Sequence, residues 1–168
     1  MKRFLVLIMV SLTLLCGCTA KYEPKDKFAL PIKINAKLDG SDTLFTADIR
    51  SDGSDFCFDE GKLKGLTLHF RENGNTIESG DFTRDVKAGI FPAQEAFARA
   101  VQLLATCENN GVQQENGMKY TIDETEIMVY YDKDTGLITG IGTEESGRRF
   151  DFVIITLEPY EAQSNGAG

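Results

Sequence analysis

The chain has 168 residues, 42% hydrophobic and 26% charged, with 16 Gly and 4 Pro. That is one domain's worth of sequence with an ordinary share of turn formers, which excludes collagen-like, low-complexity and long disordered chains. Lys and Arg number 18 against 26 Asp and Glu, and the formal charge of −8 argues against nucleic-acid binding and against adsorption on anionic lipid by charge alone.

The first element is an export signal. Lys2 and Arg3 form a positive start, and residues 4–15 (FLVLIMVSLTLL) are an apolar run broken only by Ser11 and Thr13. A spanning helix wants about 20 apolar residues, so the run predicts a signal segment and not a permanent span. It leads into Leu15-Cys16-Gly17-Cys18. This stretch resembles the lipobox of bacterial lipoproteins, with Leu15 at −3, Gly17 at −1 and Cys18 as the acylated residue. The resemblance implies removal of residues 1–17 as a lipoprotein signal peptide and a diacylglyceryl thioether on Cys18. Two or three acyl chains, at about 0.8 kcal/mol per buried CH₂, hold a protein on a membrane far more firmly than one. Loss of Lys2 and Arg3 with the signal takes the charge from −8 to −10. The resemblance thus implies an acidic mature body tethered by lipid on the extracytoplasmic face of the cell membrane.

Residues 18–28 follow as lipidated cysteine and spacer, because residues 21–27 (KYEPKDK) are polar and contain Pro24. A single domain over 29–160 comes next, and residues 161–168 form a small, polar tail.

Within the domain, Ile32, Ile34, Ala36 and Leu38 alternate with Lys33, Asn35 and Lys37, which predicts a strand with one wet face. Asp39-Gly40-Ser41-Asp42 turns the chain, and residues 44–50 return with Phe45, Ala47 and Ile49 on one side. A second Asp-Gly-Ser-Asp, at 52–55, turns into Phe56-Cys57-Phe58. Residues 62–70 alternate again, and Arg71-Glu72-Asn73-Gly74 closes a hairpin into Thr76-Ile77. Loops this short imply antiparallel neighbours.

Then the period changes. Ala93, Ala96, Phe97, Ala100, Val101, Leu104 and Cys107 fall at helical spacing, and Pro92 suits a first helical position. The predicted helix runs from Pro92 to Cys107 and stops before Gly111. Strand patterns resume at 118–122, 126–131, 137–142 and 149–157. The last is apolar on both sides from Phe152, which suggests a central strand.

Eight or nine meandering strands cannot stay flat. The expected fold is α+β: a curved antiparallel half-barrel sheet with one amphipathic helix in its concave face. Residues 29–157, through the two opening hairpins, Lys64-Gly65-Leu66-Thr67-Leu68, Phe91-Pro92 before a lone helix, and residues 131–137 (YDKDTGL), resemble small surface lipoproteins of Gram-positive bacteria. Through them they resemble the half-barrel of the lipoprotein-carrier (LolA-like) and mycobacterial lipid-binding lipoprotein families. In that family a Pro commonly follows the last motif, where Ile138 stands here. The resemblance implies a hydrophobic cavity between sheet and helix, with Phe97, Val101 and Leu104 as its helix side, and no catalytic residue.

Sites of chemistry are few. The one histidine, His69, alternates with Leu68 and Phe70 and belongs on the polar face of a strand. The Asp-Gly-Ser-Asp pairs and Asp132/Asp134 lack the distal Glu of a calcium loop and read as turns. No nucleotide loop, cofactor motif or metal-binding cysteine pair is present, so neither an enzyme, a cofactor nor a metal is expected, and the chain is expected to be a monomer. Cys57 and Cys107 stay open between two states. Export permits a disulfide, while strand parity points Cys57 outward and the helical stripe points Cys107 inward. Two functions also stay open: a membrane-anchored domain binding a lipid or other hydrophobic ligand, or an envelope lipoprotein with a filled core that acts through its surface.

Overall fold

The computed structural model describes residues 22–159. The signal peptide, Cys18 and the tail from 161 lie outside the described residues.

Eleven strands form one antiparallel sheet. In chain order they are β1 (Ile32–Leu38), β2 (Leu44–Arg50), β3 (Gly53–Phe58), β4 (Thr67–Arg71), β5 (Gly74–Ser79) and β6 (Phe82–Val86), then α1 (Pro92–Thr106). After the helix come β7 (Val112–Gln114), β8 (Gly117–Ile122), β9 (Thr125–Tyr131), β10 (Ile138–Glu145) and β11 (Arg148–Pro159). In space they run β6-β5-β4-β3-β2-β1-β11-β10-β9-β8-β7, so β6 and β7 are free edges and the sheet is unclosed. The α+β expectation holds, with more strands than foreseen. The two unforeseen strands are β6 and β7. Every residue of β7 and all of β6 but Val86 are exposed, so neither carries the buried-face alternation that marks a strand in sequence.

The inner face is continuous across the register. Leu68 pairs with Phe56, Phe56 with Ala47 and Ala47 with Ile34; Phe152 pairs with Ile141, Ile141 with Val129 and Val129 with Met118. All of these are buried. From β4 to β8 there are eight strands, a contour of about 34 Å at ~4.8 Å spacing, whereas one helix is ~10–12 Å across. So wide a buried face around one helix requires the sheet to curve.

The helix matches its predicted span to within one residue, with Cys107 as its C-cap. Its buried side is Ala93, Ala96, Phe97, Ala98, Ala100, Val101 and Leu104, laid across β2, β11 and β10 at the middle of the sheet. As predicted, β11 is central, between β1 and β10. Its outer side is nonetheless open, with Val153 and Ile155 exposed.

Two boundaries differ from expectation. The turn after β2 is Ser51-Asp52, and Gly53 already pairs with Arg50. Gly53 has φ +156, and a Cβ there would lie 2.5 Å from the Phe70 carbonyl oxygen, so glycine is demanded by close strand approach. At the N-terminus, the segment expected as a free spacer is docked. Pro24–Lys27 is a 3-10 turn, Pro24 is buried, and Phe28 is 0% exposed within the core. Phe28 supplies the apolar weight that the polar run before it lacks.

Candidate functional site

The interface between α1 and the sheet is the site that the sequence pointed to. Alternation on the strands and the i, i+3, i+4 stripe on the helix place both apolar faces together, and burying Phe97, Val101 and Leu104 contributes about 1.5–3 kcal/mol each. They are 0%, 0% and 1% exposed. The Phe97 ring meets Phe152 at 4.7 Å, Phe45 at 5.5 Å and Phe56 at 6.2 Å between centroids, all edge-on or steeply tilted. These are the preferred distances and geometries of aromatic pairs in a packed core. The side chains expected to line a cavity therefore fill the space between helix and sheet in this conformation.

Hollows open beside that core. One of about 350 Å³ lies between the flank of α1 and β3–β4, lined by Ser54, Phe70, Arg71, Ala98, Arg99 and Gln102 among others, and Phe97, Val101 and Leu104 do not border it. Ser54 is 1% exposed and its hydroxyl has no hydrogen-bond partner. Past this hollow the inner face of the β4–β6 wing is uncovered. Phe70 and Ile77 are half-buried there, and Phe82 is 58% exposed.

Polar links hold the helix in place. The Gln102 amide donates to the Arg50 carbonyl at 3.0 Å, and Arg99 faces Glu145 at 3.5 Å. At its C-terminus the Lys25 ammonium donates to the carbonyl of the C-cap residue Cys107 at 2.9 Å and to that of Asn109 in the following loop at 2.8 Å, which places a positive charge at the negative end of the helix. Glu23 accepts from the Tyr120 hydroxyl and the Gly111 amide. Burial pushes the Tyr120 phenol well above its usual range, and the hydrogen bond to Glu23 pushes it further.

The outer face carries two charged groups of residues. Asp55 on β3 accepts from Arg50 at 2.6 Å, from His69 at 2.7 Å and from Arg71, and His69 reaches Glu78 with its other nitrogen at 3.2 Å. Burial raises the Asp55 carboxyl, but the bonds from Arg50, His69 and Arg71 outweigh it and hold the group below the usual carboxylate range. His69 is thus on the polar face, as its alternation predicts. On β9–β11 the Tyr130 hydroxyl donates to Asp151 and accepts from Arg149. Burial raises the Tyr130 phenol, and Asp151 raises it further.

Cys57 and Cys107 are free thiols. Cys57 is exposed on the outer face of β3, in register with Thr46 and Thr67, whereas Cys107 ends a helix on the inner face. The sheet stands between them. Among the described residues no group of three or more His, Cys, Asp or Glu side chains is placed to hold a metal ion. No helix among them is long and apolar enough to cross a membrane.

No family model matches the chain, and no curated protein matches it. Solved structures do. One of them is a LolA superfamily protein. That protein, from Nitrosomonas europaea, is 9% identical, with a TM-score of 0.35 over 82% of this chain and 91% of its own.

Proposed function

We propose that this chain is a non-catalytic lipoprotein of the extracytoplasmic membrane face, anchored through Cys18, with a core filled by its own side chains and its work done at its surface. The observation that carries the filled core is Phe97, fully buried and ringed by Phe45, Phe56 and Phe152. A non-catalytic role is supported by His69, whose hydrogen bonds run to Asp55 and Glu78 and leave neither ring nitrogen for a nucleophile. The anchor is supported by the lipobox-like residues 15–18.

A second reading, a lipid or other hydrophobic ligand held between sheet and helix, draws on one observation. The β4–β6 wing leaves apolar inner-face residues, including Phe82, without a covering element. One measurement separates the two. A form beginning at Lys21, purified without detergent and weighed by native mass spectrometry, is expected at its bare protein mass. Co-purifying lipid overturns the filled-core reading in favour of the second. The intact mass of the mature chain tests the anchor, which predicts a diacylglyceryl increment on Cys18.

A further inference from the structure

We infer that the bilayer is a partner of the folded domain and that its contact face is the surface around Tyr22 and Leu137; this rests on the acylation of Cys18 proposed above. The inference starts from the docked N-terminus. Four peptide steps separate Cys18 from Tyr22, a reach of at most about 14 Å at ~3.3–3.6 Å per residue. The headgroup layer of one leaflet takes about 5–8 Å of it, the difference between a ~40–45 Å bilayer and its ~30 Å hydrocarbon core shared by two leaflets. The remainder is shorter than the width of a single helix.

Nothing beyond Tyr22 adds slack. The Tyr22 ring packs on Tyr131 with centroids 5.3 Å apart, and its hydroxyl donates to the Gly136 carbonyl. Pro24 and Phe28 are buried, Lys25 holds the end of α1, and Glu23 is bonded to Tyr120. With the strap docked, the tether presses the turn between β9 and β10 against the headgroups.

The chemistry of that turn fits the position. Leu137 is 66% exposed beside Gly136, and Tyr22 is 37% exposed next to it. Lys27 and Lys133 line the same shallow hollow as Tyr22. An apolar tip flanked by a tyrosine and by lysines with long aliphatic stems suits the membrane–water boundary. The acidic body is repelled by anionic lipid, and on this face the repulsion is reduced. Lys27 and Lys133 sit beside Asp26 and Asp134, and Asp132 turns its carboxylate into its own loop, accepting from the Asp134 and Thr135 amides.

The chain contains no tryptophan, so single reporters are clean. Leu137→Trp places one on the proposed face, and Asp81→Trp places one in the turn between β5 and β6, at the opposite end of the strands. The acylated full-length proteins are reconstituted on phosphatidylethanolamine–phosphatidylglycerol vesicles with brominated acyl chains. Emission of the Leu137→Trp protein is expected to be blue-shifted and quenched several-fold more than that of the Asp81→Trp protein. Hydrogen exchange on the unsubstituted chain reads the same face: residues 132–137 are expected to slow on vesicles relative to detergent, and residues 79–82 are not. Equal quenching of both reporters with unslowed exchange at 132–137, on a chain that floats with the vesicles, overturns the face and leaves the anchor standing. A chain that stays behind in flotation overturns the anchor and, with it, the face.

Discussion

Asn35 and Thr156 face each other across β1 and β11, joined by a 2.7 Å hydrogen bond on the outside of the sheet, yet the next pair in the register is Ala36 with Ile154. The residue passed over, Ile155, is a bulge. It flips the parity of everything after it. Strict alternation puts Leu157 on the face of Ile155, but Leu157 pairs with buried Ile34 and packs against the core, while Ile155 is 55% exposed.

The bulge predicts unequal costs for two leucine-sized side chains two residues apart. Ile155→Ala is expected to change stability by less than about 0.5 kcal/mol, as exposed substitutions do. Leu157→Ala is expected to cost about 1–2 kcal/mol, less than a fully buried Leu→Ala because Leu157 is only half-buried. Denaturant midpoints of the two variants, at unchanged m-value, check the difference. Equal losses would mean that the alternation runs unbroken.

Phe97→Ala tests what the helix covers. In a filled core it removes a ring that touches three others and is expected to cost about 3–5 kcal/mol. In a ligand cavity the same truncation widens a space already built to be open, and the loss of stability is small. Urea unfolding in the absence of lipid distinguishes the two outcomes.

Gly140 lies directly opposite Tyr130 in the β9–β10 ladder. A Cβ at this position would sit 2.6 Å from the Phe152 carbonyl oxygen and 3.2 Å from the Tyr130 ring. The bare backbone is what lets the ring lie over it and reach Asp151 and Arg149. Gly140→Ala is therefore expected to destabilise by about 1–3 kcal/mol, reversing the usual gain of replacing glycine in a strand. A thermal melt showing stabilisation would contradict the close approach.

Acid should act through Asp55. Its folded-state pKa is depressed by Arg50, His69 and Arg71, so its contribution is present above the unfolded value of about 3.9 and is lost as pH falls through the lower folded value. Stability is expected to decline below about pH 4, and Asp55→Asn is expected to flatten that part of the curve while lowering the plateau above it. Unfolding free energies from pH 2 to 7 measure both. An unchanged slope in the variant would assign the acid sensitivity to other carboxylates.

Much of the architecture was legible in the residues. Alternation at Ile32/Ile34/Ala36 and Phe45/Ala47/Ile49 and the helical stripe from Ala93 to Leu104 each reports a face buried by a neighbour, and burial is what patterns a sequence, whereas the two-sided apolar run from Phe152 marks a central strand whose outer side stays open. The edge strands β6 and β7 escaped because an edge strand with no buried face leaves no such imprint. The docked N-terminal segment escaped because its apolar contacts, Tyr22, Pro24 and Phe28, follow no strand or helix period and are interleaved with lysines and acids.

The sequence by itself determined an α+β chain of hairpins with one amphipathic helix, an acidic charge, and a candidate acylation site at Cys18, because local periodicity, composition and short motifs are properties of the chain. The tertiary structure decided what the helix stripe meets, which strand edges stay open, that Cys57 and Cys107 lie on opposite sides of the sheet, and that the N-terminal segment is bound to the end of α1. Each of these depends on volume and register between distant segments. A stripe of Phe97, Val101 and Leu104 is written identically whether the space opposite holds a ligand or the rings of Phe45, Phe56 and Phe152.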